Sequence, residues 1–227
     1  MIDWVGLLVV LALVALFLFL LSRSLRARRG LLKWGGTVLF GLLSLVALAA
    51  LVYTTLRRRG ISAERLQYLP ASGEHDVDGD GTNDADGVLS LGTVGAAVTN
   101  WAWPAQRLTI YVIGSEYAGG GRLSSGEVLD AGTLDAWLDL YQGSNRAVNV
   151  VLDFPWAGSL VGGLVAPPGR ERIVVASTRA GADAVAGRDG LVSFTSYLMG
   201  HVFQGRSIGT SVSEARKLLR HTSGRVR

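Results

Sequence analysis

A chain of 227 residues that is 49% apolar, 18% charged and +4 in net charge is neither a disordered polypeptide nor a coiled coil. It has no cysteine, which excludes a disulfide framework, thiolate metal sites, thioether-attached haem and a cysteine nucleophile. The positive charge is local. Residues 1–60 hold eight Lys/Arg and one acid, Asp3, whereas residues 61–227 hold 14 Lys/Arg against 17 Asp/Glu. Basic residues therefore flank the apolar segments, and nothing supports nucleic-acid binding.

Val5 to Leu21 is an unbroken apolar run closed by Arg23, Arg26, Arg28 and Arg29, and a second run, Gly35 to Leu56, is closed by Arg57, Arg58 and Arg59. Both read as membrane-spanning helices, over about residues 4–22 and 35–56, within an N-terminal hairpin of residues 1–60. A cleaved signal peptide fits the first run poorly, because the preceding residues carry Asp3 and no Lys or Arg. The basic connection between the runs points to the cytoplasm, which places both termini and the remaining domain on the periplasmic or extracellular side. The Arg57–Arg59 cluster opposes that asymmetry. No Asp, Glu, Lys, Arg or His interrupts either run, so the helices read as anchors, with membrane lipid and other integral subunits as partners. Small residues from Gly35 to Ala50 allow close helix packing, or reflect ordinary membrane-helix composition. The segment Leu32-Lys33-Trp34-Gly35-Gly36 resembles anchors that precede some bacterial membrane-bound cytochrome c subunits.

A connector, residues 61–92, contains the acidic loop 76–87. Asp76, Asp78, Asp80, Thr82 (through its carbonyl) and Asp84 alternate as hard-oxygen ligands, and Gly81 stands where such a loop turns sharply. Gly87 replaces the usual bidentate Glu, leaving Asp86 as the substitute. The loop reads as a Ca²⁺ site or as a solvated acidic turn. Beyond it, Thr93–Trp101 has helical spacing, and Leu108–Ile113, Ala147–Leu152 and Arg172–Ser177 are apolar runs of buried-strand type. Asp130 is placed to cap a helix through Leu140, Ser193–Phe203 is helical, and Ser211-Val-Ser-Glu214 reads as a capping box opening a last helix. Buried strands alternating with helices predict an α/β sandwich around a mostly parallel sheet.

In order and spacing, Asp78-Gly-Asp-Gly81, Asn100-Trp101, Leu108–Ile113, Leu134-Asp-Ala-Trp-Leu138, Asp153, Gly158-Ser159, Glu171–Ser177 and Ser193-Phe194 resemble the caspase-like (clan CD) cysteine peptidases of the legumain type, in their bacterial branch. The resemblance covers residues 76–221 and implies a caspase-like three-layer domain over 93–227. It also implies a catalytic histidine after the first strand and a cysteine after the next; here Ser115 and Pro155 occupy those positions. Proline has no nucleophile and serine is no general base at neutral pH, so no catalytic residue is expected. Ser115 and Ser159 are the fallback nucleophiles, and His75, His201 and His221 lie in no motif that would activate them.

Tyr117, Phe154 and Trp156 flank the lost dyad and either fill the cleft or present it to a partner, while Gly119-Gly120-Gly121 makes the neighbouring loop permissive. The combined expectation is a non-enzymatic, legumain-like pseudopeptidase anchored in a bacterial inner membrane. It would be an accessory subunit of a larger membrane complex, of respiratory or photosynthetic electron transport by the cytochrome-anchor resemblance. Neither haem nor a small-molecule substrate is expected. The alternative is a sensor that binds peptide or protein in the dead cleft.

Overall fold

The computed structural model describes residues 32–117, 120–123, 126–183 and 193–223, with side chains described over 45–114, 120–123, 126–183 and 193–220. Two compact units divide the chain, Met1–Leu43 and Ser44–Arg227. The first apolar run, Val5–Leu21, lies outside the described residues. The second falls within helix α1, Leu32–Arg58. Among the described residues no helix is long and apolar enough to cross a membrane. Side chains of α1 are described only from Leu45, and residues 45–58 rise about 21 Å against a hydrocarbon core of about 30 Å.

Helix α1 stops at a closed backbone turn. Gly60 takes φ +84, its N–H donates to the Arg57 carbonyl at 3.0 Å, and the Ile61 N–H donates to the Leu56 carbonyl at 3.1 Å. This is the Schellman pair of bonds, and it needs a left-handed residue that glycine supplies at least cost.

The second unit has the expected α/β class. Strands β1 (Arg107–Ile113), β5 (Ala147–Asp153) and β6 (Arg172–Ala176) form a parallel sheet in the order β1-β5-β6, with Ile113 opposite Asp153 and Leu152 opposite Ala176. Alternation along these strands divides two cores. Leu108, Ile110, Val112, Val148, Val150, Leu152 and Val174 face one core, against α3 (Ala131–Gln142) and the segment formed by α2 (Leu91–Ala96) and the π-helical turn Ala97–Trp101. Tyr111, Ile113, Val151 and Val175 face the other, against α4 (Phe194–Phe203) and α5 (Ile208–Ser223). Val52 and Leu56 of α1 belong to this second core. The last turns of α1 are thus part of the α/β domain rather than a linker to it.

One buried cation fastens the first layer. The Arg172 side chain on β6 is fully buried and pairs with Asp135 and Asp139 of α3 at 2.5 and 2.6 Å. Its Nε also donates to Gln142 Oε1 at 2.8 Å. Carboxylates four residues apart share a helix face, so one guanidinium reaches both.

Two local expectations are corrected. The last helix opens at Ile208, not near Ser211: Ser207 Oγ accepts from the Thr210 N–H at 3.2 Å, while Ser211 is buried one turn inside the helix and donates back to the Ser207 carbonyl. A small antiparallel sheet, β2 (Ser115–Tyr117), β3 (Gly120–Arg122) and β4 (Val128–Asp130), follows β1 where a permissive loop is expected. Gly120 is required there by close approach, since a Cβ would lie 2.6 Å from the Leu129 carbonyl oxygen. Three-residue strands are too short for alternation to reveal.

Asp130 caps α3 as expected, accepting from the Thr133 N–H at 2.9 Å and from its hydroxyl at 2.8 Å. These bonds hold the Asp130 carboxyl below the usual carboxylate range. A lowered folded-state value stabilises above the unfolded value and is lost as pH falls through the folded one. Asp130→Ala should therefore cost about 1 kcal/mol at pH 7, and the difference from wild type should disappear as the pH falls below about 4 in denaturation midpoints.

Candidate functional site

Two places carry the chemistry expected from the sequence: the acidic loop, and the C-terminal ends of β1 and β5. In the loop, carboxylate oxygens of Asp76, Asp78 and Asp84 all lie within 4.8 Å of one another. Asp76 organises the turn, with Oδ1 accepting from the Gly79 N–H at 2.7 Å and Oδ2 from the Gly81 N–H at 2.9 Å. Gly79 and Gly81 take φ +80 and +87, the left-handed geometry anticipated at the sixth loop position. Two further candidate carboxylates accept bonds from other partners. Asp80 Oδ1 accepts from the Thr82 hydroxyl and N–H, bonds that hold its carboxyl below the usual range. Asp86 Oδ2 accepts from the Tyr68 N–H at 2.7 Å. The structure thus brings together Asp76, Asp78 and Asp84, while one carboxylate oxygen of Asp80 accepts from Thr82 and one of Asp86 from the Tyr68 backbone.

Asp84 ties the loop to the domain. Its Oδ1 accepts from the Tyr53 hydroxyl at 2.8 Å and its Oδ2 from the Val77 N–H at 2.8 Å. The Tyr53 and Tyr68 rings lie 5.5 Å apart, and the Tyr68 hydroxyl is 3.1 Å from His75 Nδ1. Burial pushes the Tyr68 phenol up from its ordinary value, with the Asp84 carboxylate adding to the effect. An aromatic file therefore runs from α1 to the loop. Sequence reasoning placed Tyr53 in an anchor and did not connect it to Asp84.

Parallel register places the dyad positions at adjoining strand ends. Gly114 N–H donates to the Asp153 carbonyl at 3.3 Å, so the residues that follow, Ser115 and Pro155, leave the same edge of the sheet. That edge is where open α/β sheets hold ligands. The Ser115 and Tyr117 side chains lie outside those described. Pro155 is half-buried, and Phe154 is 2% exposed and packed in the first core, so Phe154 fills the interior rather than facing a partner. Trp156 is 37% exposed and takes φ +62. A left-handed aromatic residue is strained, and the surrounding contacts hold it. Trp156 N–H donates to the Ala182 carbonyl at 2.9 Å, the Thr178 hydroxyl donates to the Phe154 carbonyl at 3.1 Å, and a Cβ on Gly158 would meet backbone atoms of Thr178 and Ala180 at 2.6 Å.

Nothing described at this edge forms a nucleophile and base pair. Ser159 Oγ donates to the Trp156 carbonyl at 2.8 Å. His75 adjoins Tyr68, the buried Nδ1 of His201 has no partner among the described residues, and the His221 side chain lies outside them. Beneath the edge, Asp153 Oδ2 accepts from the Thr195 N–H at 3.1 Å and from its hydroxyl, and the Tyr111 hydroxyl lies 2.9 Å from Thr195 Oγ1. Burial, with Asp153 beside it, raises the Tyr111 phenol far above its ordinary value. Asp153 thus ties the end of β5 to the first turn of α4, a structural role that its position after an apolar strand only hints at. No family model matches the chain, and no curated protein matches it.

Proposed function

We propose that this chain is a catalytically inert, membrane-anchored homologue of the caspase-like peptidases, serving as a structural accessory subunit of a bacterial membrane complex. The observation that carries the reading is the edge formed by β1 and β5. Its turn after β5 is tightly clamped, as a nucleophile-bearing turn would need to be, yet it presents Pro155 and a strained Trp156. The anchor reading is supported by the two apolar runs and by the continuation of the second, through α1, into the second core. The weak likeness of residues 32–36 to cytochrome-subunit anchors favours an electron-transport assembly. The α/β domain would then stand on the periplasmic or extracellular face.

A second reading, capture of a peptide or protein at the inert edge, is favoured by the exposure of Trp156 alone among the described flanking aromatics. Alkaline carbonate extraction of native membranes followed by gentle detergent purification separates the readings. A carbonate-resistant chain that co-purifies at fixed stoichiometry with integral subunits is the expected result; recovery without such partners contradicts the accessory role. Wild type, Ser115→Ala and Ser159→Ala should be equally inert toward peptides with Asn or Asp before the scissile bond. Cleavage lost in either variant would make the chain an enzyme.

Calcium belongs to the same reading. Asp76, Asp78 and Asp84 would supply the carboxylates, and the extracytoplasmic face supplies a calcium concentration that suits a site with few protein ligands. A ligand at about 100 times its dissociation constant adds roughly 2.7 kcal/mol, so millimolar Ca²⁺ against chelator should raise the melting midpoint by several degrees. Asp78→Ala should abolish that shift. An identical melt in calcium and chelator would remove the ion from the account.

A further inference from the structure

A cleft of about 570 Å³ lies between the end of α1 and the acidic loop and shares Asp78 with the loop's carboxylate cluster. Thr54, Arg57 and Arg58 form one wall, Ile61 the turn beyond the helix, and Val77 and Asp78 the opposite wall. Residues 54, 57 and 58 share a helix face by their spacing. Their guanidinium groups are not needed to close the helix, because the Thr55, Leu56 and Arg57 carbonyls already accept from the N–H groups of Arg59, Ile61 and Gly60. Arg57 Nη1 donates to the Ile61 carbonyl at 3.2 Å, which aims the group along the turn. None of the ion pairs among the described residues involves Arg57, Arg58 or Arg59.

We propose that this cleft binds the headgroup of an acidic, hydroxyl-bearing glycerophospholipid of the phosphatidylglycerol class, its phosphodiester on Arg57 and Arg58 and its hydroxyls toward Asp78. The proposal rests on the membrane reading above, which puts the turn after Leu56 at headgroup depth. The mixed chemistry of the cleft selects the ligand. Two guanidiniums favour a phosphate, whereas Asp78 opposes a bare dianion and accepts from hydroxyl groups. Thr54, which also lines the cleft, donates its hydroxyl back to the Ala50 carbonyl at 2.9 Å. Neither Glu64 nor Asp80 forms an ion pair with Arg57; Asp80 accepts from Thr82 instead.

Native mass spectrometry of the full chain in detergent tests this, with dihexanoyl-phosphatidylglycerol, dihexanoyl-phosphatidylcholine and inorganic phosphate as probes. Phosphatidylglycerol should be retained over phosphatidylcholine. Arg57→Gln/Arg58→Gln should weaken that retention about 30-fold, from about tenfold or less for each lost charge. The charge-matched control Arg216→Gln/Lys217→Gln should change it less than twofold. Arg58→Gln alone, with an unchanged melting midpoint, guards against misfolding of the double variant and should show part of the loss. Equal retention of both lipids, full retention by the double variant, or equally tight binding of inorganic phosphate would overturn the proposal. Carbonate extraction is scored separately, so a chain that stays with membranes yet shows no lipid preference refutes this inference alone.

Discussion

Burial of β5 on both faces is the constraint on which the rest of the domain depends. Val148, Val150 and Leu152 point into one core, Val151 into the other, and none is more than 2% exposed. A strand buried on both faces over Val150–Asp153 needs a layer on each side and a paired neighbour along each edge. β1 and β6 supply the edges, α3 with the segment before β1 covers one face, and α4, α5 and the end of α1 cover the other. Because α1 is one of the covering elements, the segment that reads from sequence as an anchor also completes the fold.

The same layering explains why the edge beyond β5 is well built without being reactive. Asp153 ties β5 to α4 through Thr195, and the turn after it is locked by Ala182, Thr178 and the close approach at Gly158. Such clamping suits a turn that must hold one side chain in a strained position. Here the strained residue is Trp156, which has neither nucleophile nor acid-base chemistry. A fold keeps this machinery if the turn still contributes packing, and Phe154 and Ala157 do so in the first core.

Sequence patterns revealed the central strands and the helices that cover them, because apolar runs of five or more residues and a side-chain cap such as Asp130 are local signals. The three-residue strands around Gly120 were not legible, since their pairing is set by backbone approach at Gly120 rather than by composition. The start of α5 was misplaced by three residues because Ser207 and Ser211 offer similar caps, and only tertiary burial of Ser211 decides between them. At the acidic loop the ligand types were legible and their directions were not. Asp80 and Asp86 are diverted by Thr82 and by the Tyr68 backbone, contacts that no spacing rule encodes. The aromatic file from Tyr53 to His75 was hidden because its members lie in segments that read as an anchor and a connector.

The central structural claim is that the last turns of α1 and the α/β domain form one cooperative unit. Hydrogen exchange on the full chain in detergent tests it most directly, by comparing amides of residues 52–56 with those of β5 and α4. The account predicts that all three segments open together, with the same free energy and the same response to denaturant. Rapid exchange over 52–56 while β5 stays protected would contradict it, and would make α1 a tether rather than a layer of the fold.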